Sequence, residues 1–340
     1  MKAKLSPTDR DTLKSLLCCR GEEAQYLRDC AARTSVELFG RAVYLRGLIE
    51  ISSYCRNNCL YCGLRRDNTS AERYRLTESQ ILECCKVGYR AGLRTFVLQG
   101  GEDSYWSDSR LMPLIKTIAT TYPDAAITLS LGERSAESYK ALHDAGATRY
   151  LLRHEAANCA LYEAIHPADM SYSNRIEAIK NLMQIGYQTG MGMMIGIPGQ
   201  TDDDIVDDLQ LIASLRPQMV GIGPFIPHPA TPFSSYPAGN LDRVLNAVAI
   251  TRLLLPNALI PATTALNTLS AEGHRLGILA GANVIMPNLS PADVRSKYAI
   301  YAGKAATGAE AVEGIKALTE ELSQIGYTIN YAKADYNDTI

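Results

Sequence analysis

Cys55, Cys59 and Cys62 fall within eight positions of one another in YCRNNCLYCGLRR (residues 54 to 66), directly behind an apolar run, GLIEISS. Thiolates are soft metal ligands, and their spacing restricts what they hold. Structural zinc is usually closed by four ligands in two pairs, whereas this loop offers three with no fourth Cys or His inside it. A 4Fe-4S cluster held by three thiolates keeps one iron open to an exogenous ligand, where chemistry can occur. A zinc-binding module without catalysis, or a group of free thiols, is the competing reading. The other six cysteines, Cys18, Cys19, Cys30, Cys84, Cys85 and Cys159, read as unligated thiols on helical segments, since free Cys is commonly a small core hydrophobe.

Further along, QGGED brings Gly100, Gly101 and Glu102 into a tight turn, and glycines without a Cβ let the backbone approach a ligand closely. In RYLLRHE, Arg153 and Glu155 differ by two, so on a strand both side chains share one face. Buried charges are costly unless paired or ligand-bound. A carboxylate there suits sugar hydroxyls, and an arginine suits a carboxylate. Arg175, opening a helix in SYSNRIEAI, is a second candidate for bidentate carboxylate binding. An internal ion pair of Glu155 with Arg153 or Arg175 is the alternative. Met191, Met193 and Met194 read as core filler. His228, between two prolines, is equally a base or the bracket of a rim loop.

Something must hold these residues together. Eight short apolar runs recur as strand candidates, at 47–52, 95–100, 127–132, 149–154, 190–196, 219–225, 258–264 and 283–288. Helical segments separate them, with Thr77 and Thr201 as expected N-caps and Gly92 as a helix end. Eight strand–helix units predict an α/β fold, a complete (β/α)8 TIM barrel, with an open doubly wound sheet as the alternative. The unusual residues then all lie at strand C-terminal ends, where such barrels carry their chemistry. Residues 1–46 read as a helical extension that plugs or flanks the barrel (47–304), 305–330 as a closing helix within a C-terminal part (305–340), and the last ten residues as a surface tail.

Composition narrows the function classes. The chain has 340 residues, 46% hydrophobic and 21% charged, with a net charge of -2. That length supports a large core, and closed α/β barrels reach it as one domain. The near-neutral balance gives no polyanion-binding surface, so neither nucleic acid nor anionic membrane is an expected partner. MKAKLSPTDRDTLKSLLCCRGEE lacks an apolar run of signal-peptide length, and no segment reaches the roughly 18 apolar residues of a membrane span. The expected location is the cytoplasm. Nine cysteines, an odd number, argue against a secreted disulfide framework.

The cysteine spacing, three intervening residues and then two, resembles that of the radical S-adenosylmethionine superfamily. There the open iron chelates the methionyl amino and carboxylate groups, and reduction yields a 5'-deoxyadenosyl radical. The resemblance implies that Tyr61 packs near the adenine, that the Gly100–Gly101 turn receives the methionyl ammonium, and that Glu155 and Arg175, with Arg153 beside them, contact the cofactor. CRNNCLYCGLRRDN, VLQGGED, YLLRHE, GIPGQT, MVGIGPFIPHPATPF, IPATTAL and AGANVIMPN together resemble the FeFe-hydrogenase maturase family known as HydE, through most of residues 45 to 305. This implies assembly of the two-iron subcluster of the hydrogenase H-cluster on a small iron complex bearing carbon monoxide, cyanide and cysteine, with the other maturases as partners and a ferredoxin or flavodoxin as reductant. It also places Thr263, Thr264, Tyr298 and Tyr301 around a lower substrate cavity. Some family members carry a second cluster on C-terminal cysteines; this chain has none after Cys159, which predicts a single 4Fe-4S cluster. Biotin synthase-like or methylornithine synthase-like action on an organic substrate is the runner-up.

Overall fold

The computed structural model describes residues 5–304 and 311–337. Its strands are β1 (Ala42–Leu45), β2 (Gly47–Ser52), β3 (Thr95–Gly100), β4 (Ala126–Ser130), β5 (Ala147–Leu151), β6 (Gln188–Ile195), β7 (Met219–Pro224), β8 (Val284–Ile285) and β9 (Thr328–Asn330). β2 to β7 pair in sequence order as a six-stranded parallel half-barrel. β2 and β7 are buried along their whole length, as strands covered by helices on one face and packed into a lumen on the other must be. Past β7 the parallel pairing continues as single bridges, Met219 to Leu259 and Pro261 to Val284, and Leu48 of β2 bridges Asn288.

Local chemistry explains the helices between the strands. Thr77 and Gln80 form a capping box at the start of Glu78–Arg90, and Thr201 and Asp204 form another before Asp202–Leu215. Tyr172–Ile185 stops at Gly186, whose φ of 102° lies in the left-handed region open to glycine. Helices Arg10–Cys18 and Gly21–Phe39 pack beside the half-barrel. Arg28 reaches Asp242 and Asn246 of the helix Leu241–Leu254, and the Asn246 amide donates to Leu17 and Cys19 carbonyls.

Several expectations are corrected. Residues 258–264 form no continuous strand: Pro261 has no N–H for a ladder, and Thr263 caps a short helix, Thr264–Leu269. The run 283–288 shrinks to β8, since Pro287 interrupts it. β5 ends at Leu151, so Arg153 and Glu155 lie beyond the strand. β1, inside the expected helical extension, pairs with β8 and β9.

The tail also differs from its reading. Within 331–337, the Lys333 carbonyl accepts from Thr95 Oγ1 and from Arg149, Asp335 pairs with the fully buried Arg149 at 2.9 Å, and Ala334 packs near Met219 and Val284. Thr95 opens β3 and Arg149 lies midway along the short β5, so this segment covers the N-terminal part of the sheet rather than trailing over the surface. The expected closing helix is present as Ala311–Gln324; residues 305–310 and 338–340 lie outside the described residues.

Candidate functional site

The cysteine loop leaves β2 and is fastened to its surroundings by main-chain bonds. Arg56 N–H donates to Glu102 O (2.9 Å), Leu60 N–H to Ile165 O (3.0 Å) and Gly63 N–H to Ile300 O (2.8 Å). Two glycines make these approaches possible. A Cβ on Gly101 would stand 2.3 Å from Tyr54 O and 2.7 Å from Cys55 Cβ; one on Gly63 would stand 2.1 Å from Ala299 O and meet the His228 ring. The Gly100–Gly101 turn after β3 therefore supports the loop directly.

Burial raises all three thiols, Cys62 up to about 12, and for Cys59 and Cys62 the proximity of the other thiols adds to it. Three half-buried thiols that repel each other's charged forms are a poor arrangement for free cysteines, and a good one for a cationic centre that takes thiolates and releases protons. The donor set is soft sulfur from one loop. Among the described residues no three or more His, Cys, Asp and Glu side chains converge to hold a single metal ion.

Beside the loop, Tyr61 hydroxyl lies 3.0 Å from His166 Nε2, and His166 Nδ1 lies 2.8 Å from the Tyr162 carbonyl. A carbonyl only accepts, so Nδ1 carries the proton and Nε2 accepts from Tyr61. Burial pushes His166 down to about 3, which keeps the ring neutral. Tyr61 is thus held in one orientation by a residue that the motifs did not single out.

Arg153, Glu155 and Arg175 do come together. Arg175 Nε donates to Glu133 Oε1 and its Nη1 to the Arg153 carbonyl, both at 2.5 Å. Burial disfavours its charge, but Tyr162 and Glu133 outweigh that, so the guanidinium stays protonated. The partner of Arg175 is therefore Glu133, in the loop after β4, rather than Glu155. Arg153 donates to Met193 O at 2.5 Å and lies 3.3 Å from Glu155 Oε2. That contact is an ion pair without hydrogen-bond alignment, because Glu155 Oε2 and Arg153 Nε are both buried with no hydrogen-bond partner. Orphaned buried groups of opposite sign are what a polar ligand would satisfy. The Tyr162 hydroxyl close by is also without a partner.

Glu102, in contrast, is committed to the protein. Its Oε1 accepts the Glu133 amide and its Oε2 accepts from Arg56, so it ties three rim loops together.

Of the residues expected around a lower cavity, Tyr298 and Tyr301 line one with His228 and Lys304 that includes neither Thr263 nor Thr264. Thr263 Oγ1 caps its helix and reaches Ile222 O at 3.4 Å, with Thr264 next in the chain. Tyr298 is buried with Gln99 as side-chain partner, and Tyr301 pairs with Thr268. Glu50 on β2, missed by sequence reasoning, is fully buried and takes Lys304 Nζ (2.5 Å) and Asn288 Nδ2 (3.0 Å). Its place within the apolar run of β2, LIEIS, was the available signal, a charge where an apolar residue belongs. Burial raises the Glu50 carboxyl, with Lys304 opposing. His228 accepts the Ala230 amide on Nδ1 and packs on Gly63.

A parallel half-barrel with a three-cysteine loop at its C-terminal rim is the arrangement of the Radical SAM superfamily, whose family model matches residues 49–212. The FeFe hydrogenase maturase subunit HydE of Thermotoga maritima is 47% identical over 265 residues, which cover 78% of this chain and 75% of that protein. A 3-methylornithine synthase of Methanosarcina acetivorans is 29% identical over 286 residues, 83% of this chain and 80% of that protein. The solved structure of methylornithine synthase (PylB) superposes with a TM-score of 0.82 at 26% identity, spanning 97% of this chain and 95% of that one. The chain belongs to the HydE family of radical S-adenosylmethionine hydrogenase maturases. No helix among the described residues is long and apolar enough to cross a membrane.

Proposed function

We propose that the chain is a radical S-adenosylmethionine enzyme of FeFe hydrogenase maturation in which Cys55, Cys59 and Cys62 hold its single 4Fe-4S cluster. The observation that carries this reading is the juxtaposition of three half-buried thiols in one loop with a corner where Glu155 Oε2 and Arg153 Nε have no hydrogen-bond partner. When bound, the cluster supplies the one-electron chemistry that turns S-adenosylmethionine into a 5'-deoxyadenosyl radical.

The chain's own residues bind and orient. Glu155 takes the ribose hydroxyls, Arg175 with Arg153 beside it takes the methionyl carboxylate, and the Gly100–Gly101 main chain takes the ammonium. Tyr61, fixed by His166, packs by the adenine. Glu102 serves this site through the loops that it joins. Tyr298 and Tyr301 line the substrate cavity, whose polar floor of Glu50, Lys304 and Asn288 suits a charged substrate. The substrate in this reading is a small iron complex bearing carbon monoxide, cyanide and cysteine. The other maturases are partners, a ferredoxin or flavodoxin is the reductant, and the cytoplasm is the place of action.

The single bridges through Leu259, Pro261 and Asn288 support a complete eight-stranded barrel over residues 47–304, with 1–46 as extension and 305–340 as C-terminal part. Hydrogenase activation tests the function. With the two partner maturases under anaerobic conditions, adding this chain produces active hydrogenase; activation that is the same without it refutes the reading. The near-complete superposition on methylornithine synthase favours a second reading, isomerisation of an amino acid. Turnover of lysine by the reconstituted chain would establish that one instead.

A further inference from the structure

Arg73 belongs to none of the groups assigned above. It lies on the segment returning from the cysteine loop, and its guanidinium donates to four carbonyl oxygens. Nη1 reaches Ser53 (2.5 Å) and Leu64 (3.0 Å), and Nη2 reaches Arg65 (2.8 Å) and Asn68 (3.2 Å). Ser53 stands two residues before Cys55, and Leu64 two residues after Cys62. One side chain therefore joins the two shoulders of the loop. Residues 53–72 contain no helix or strand, so their carbonyls have no ladder to satisfy them. The planar fork of arginine can serve several carbonyls at once, and a lysine ammonium, a point charge on a flexible stem, cannot reproduce that geometry.

The charge matters as well as the shape. These bonds fix the Arg73 cation to carbonyls that stand within two residues of both Cys55 and Cys62 along the chain. A cubane on three thiolates carries net negative charge that increases on reduction, and a fixed cation nearby favours the more negative state.

We propose that Arg73 is a positioning residue for the cluster, clasping the mouth of the cysteine loop and raising the potential at which the cluster is reduced. This rests on the reading that Cys55, Cys59 and Cys62 hold a cluster. The full chain, Arg73→Gln and Arg73→Lys are reconstituted anaerobically. Iron and sulfide per chain, the rate of iron loss to EDTA and the midpoint potential by EPR-monitored titration are then measured. Arg73→Gln loses iron faster and is reduced only at more negative potential; Arg73→Lys also loses iron faster but keeps a potential close to that of the parent. A purely structural role would not move the potential in the first and spare it in the second. Parental iron retention and potential in Arg73→Gln overturn the proposal. If Arg73→Gln does not fold, Arg73→Lys decides: parental iron retention there overturns the clasp. An unsubstituted chain that takes up no cluster overturns the underlying reading, an outcome distinct from any difference between the variants.

Discussion

His154 Nε2 lies 3.1 Å from Asp208 Oδ1, with both side chains fully buried, and the same oxygen accepts the Ala157 amide at 2.6 Å. Between these two anchors sits Glu155 with a φ of 65°. Left-handed backbone costs a residue with a Cβ roughly 1–2 kcal/mol, so the turn persists only because its neighbours fix it. The helix Asp202–Leu215 thereby aims the carboxylate that is proposed to take the ribose.

Asp208→Asn keeps the shape of this contact but removes the charge that serves two donors at once. S-adenosylmethionine affinity is expected to fall about tenfold, or ~1.4 kcal/mol, while cluster content stays at the parental level. Calorimetric titration of both reconstituted proteins checks it, and equal affinities would sever Asp208 from the site.

His166 gives a pH dependence whose sign is fixed. Its folded value, about 3, lies below the ordinary 6.5, so the unfolded chain binds the extra proton between them. The stabilisation is complete above pH 6.5 and declines as the pH falls towards 3. Between pH 6.5 and 5 the parent should lose up to about 2 kcal/mol more than His166→Gln, whose amide keeps the bond to Tyr61 but does not titrate. Urea unfolding at the two pH values measures this; identical pH slopes would remove His166 as a buried neutral ring.

Gly101→Ala forces a Cβ to within 2.3 Å of the Tyr54 carbonyl, a backbone atom with little freedom to retreat. The variant should be destabilised by about 1–3 kcal/mol and should retain less iron after reconstitution. Thermal melting with iron analysis tests both, and a parental result for both would show that the turn does not support the loop.

At the opposite end of the sheet, Asp335→Asn should destabilise the chain at neutral pH. Asp335 is about half exposed, which limits the effect to about 1–2 kcal/mol despite the buried Arg149 opposite. Burial acts to raise the Asp335 carboxyl, but Lys333 and Arg149 prevail and hold it below its ordinary value. Its contribution is therefore present above about pH 4 and lost as the pH falls through the lowered value. Denaturant curves that differ between the two chains at pH 7 and converge in acid are expected; coincident curves at pH 7 would show that the tail contributes nothing.

Much of this architecture could be read from residue pattern. β2 and β3 have the bounds that their apolar runs predict, because strands covered on both sides announce themselves by continuous hydrophobicity. The cysteine loop, the glycine turn and the Arg153–Glu155–Arg175 corner follow from their places after strands. What escaped lay in partners from distant elements. Glu133 and His166 sit in loops that carry no periodic signal. Asp208 did leave a trace, since it shares a buried helix face with Asp204, an acidic pair where that amphipathic helix should be apolar. β1 and β9, of four and three residues, are too short to show a period, and the docked tail depends on Arg149, a single buried charge inside β5.

The most direct test is anaerobic reconstitution of the full chain with iron and sulfide, followed by dithionite and S-adenosylmethionine. About four iron and four sulfide per chain, a brown chromophore lost in Cys55→Ser, and formation of 5'-deoxyadenosine are predicted. A single tightly bound zinc with no 5'-deoxyadenosine would contradict the account.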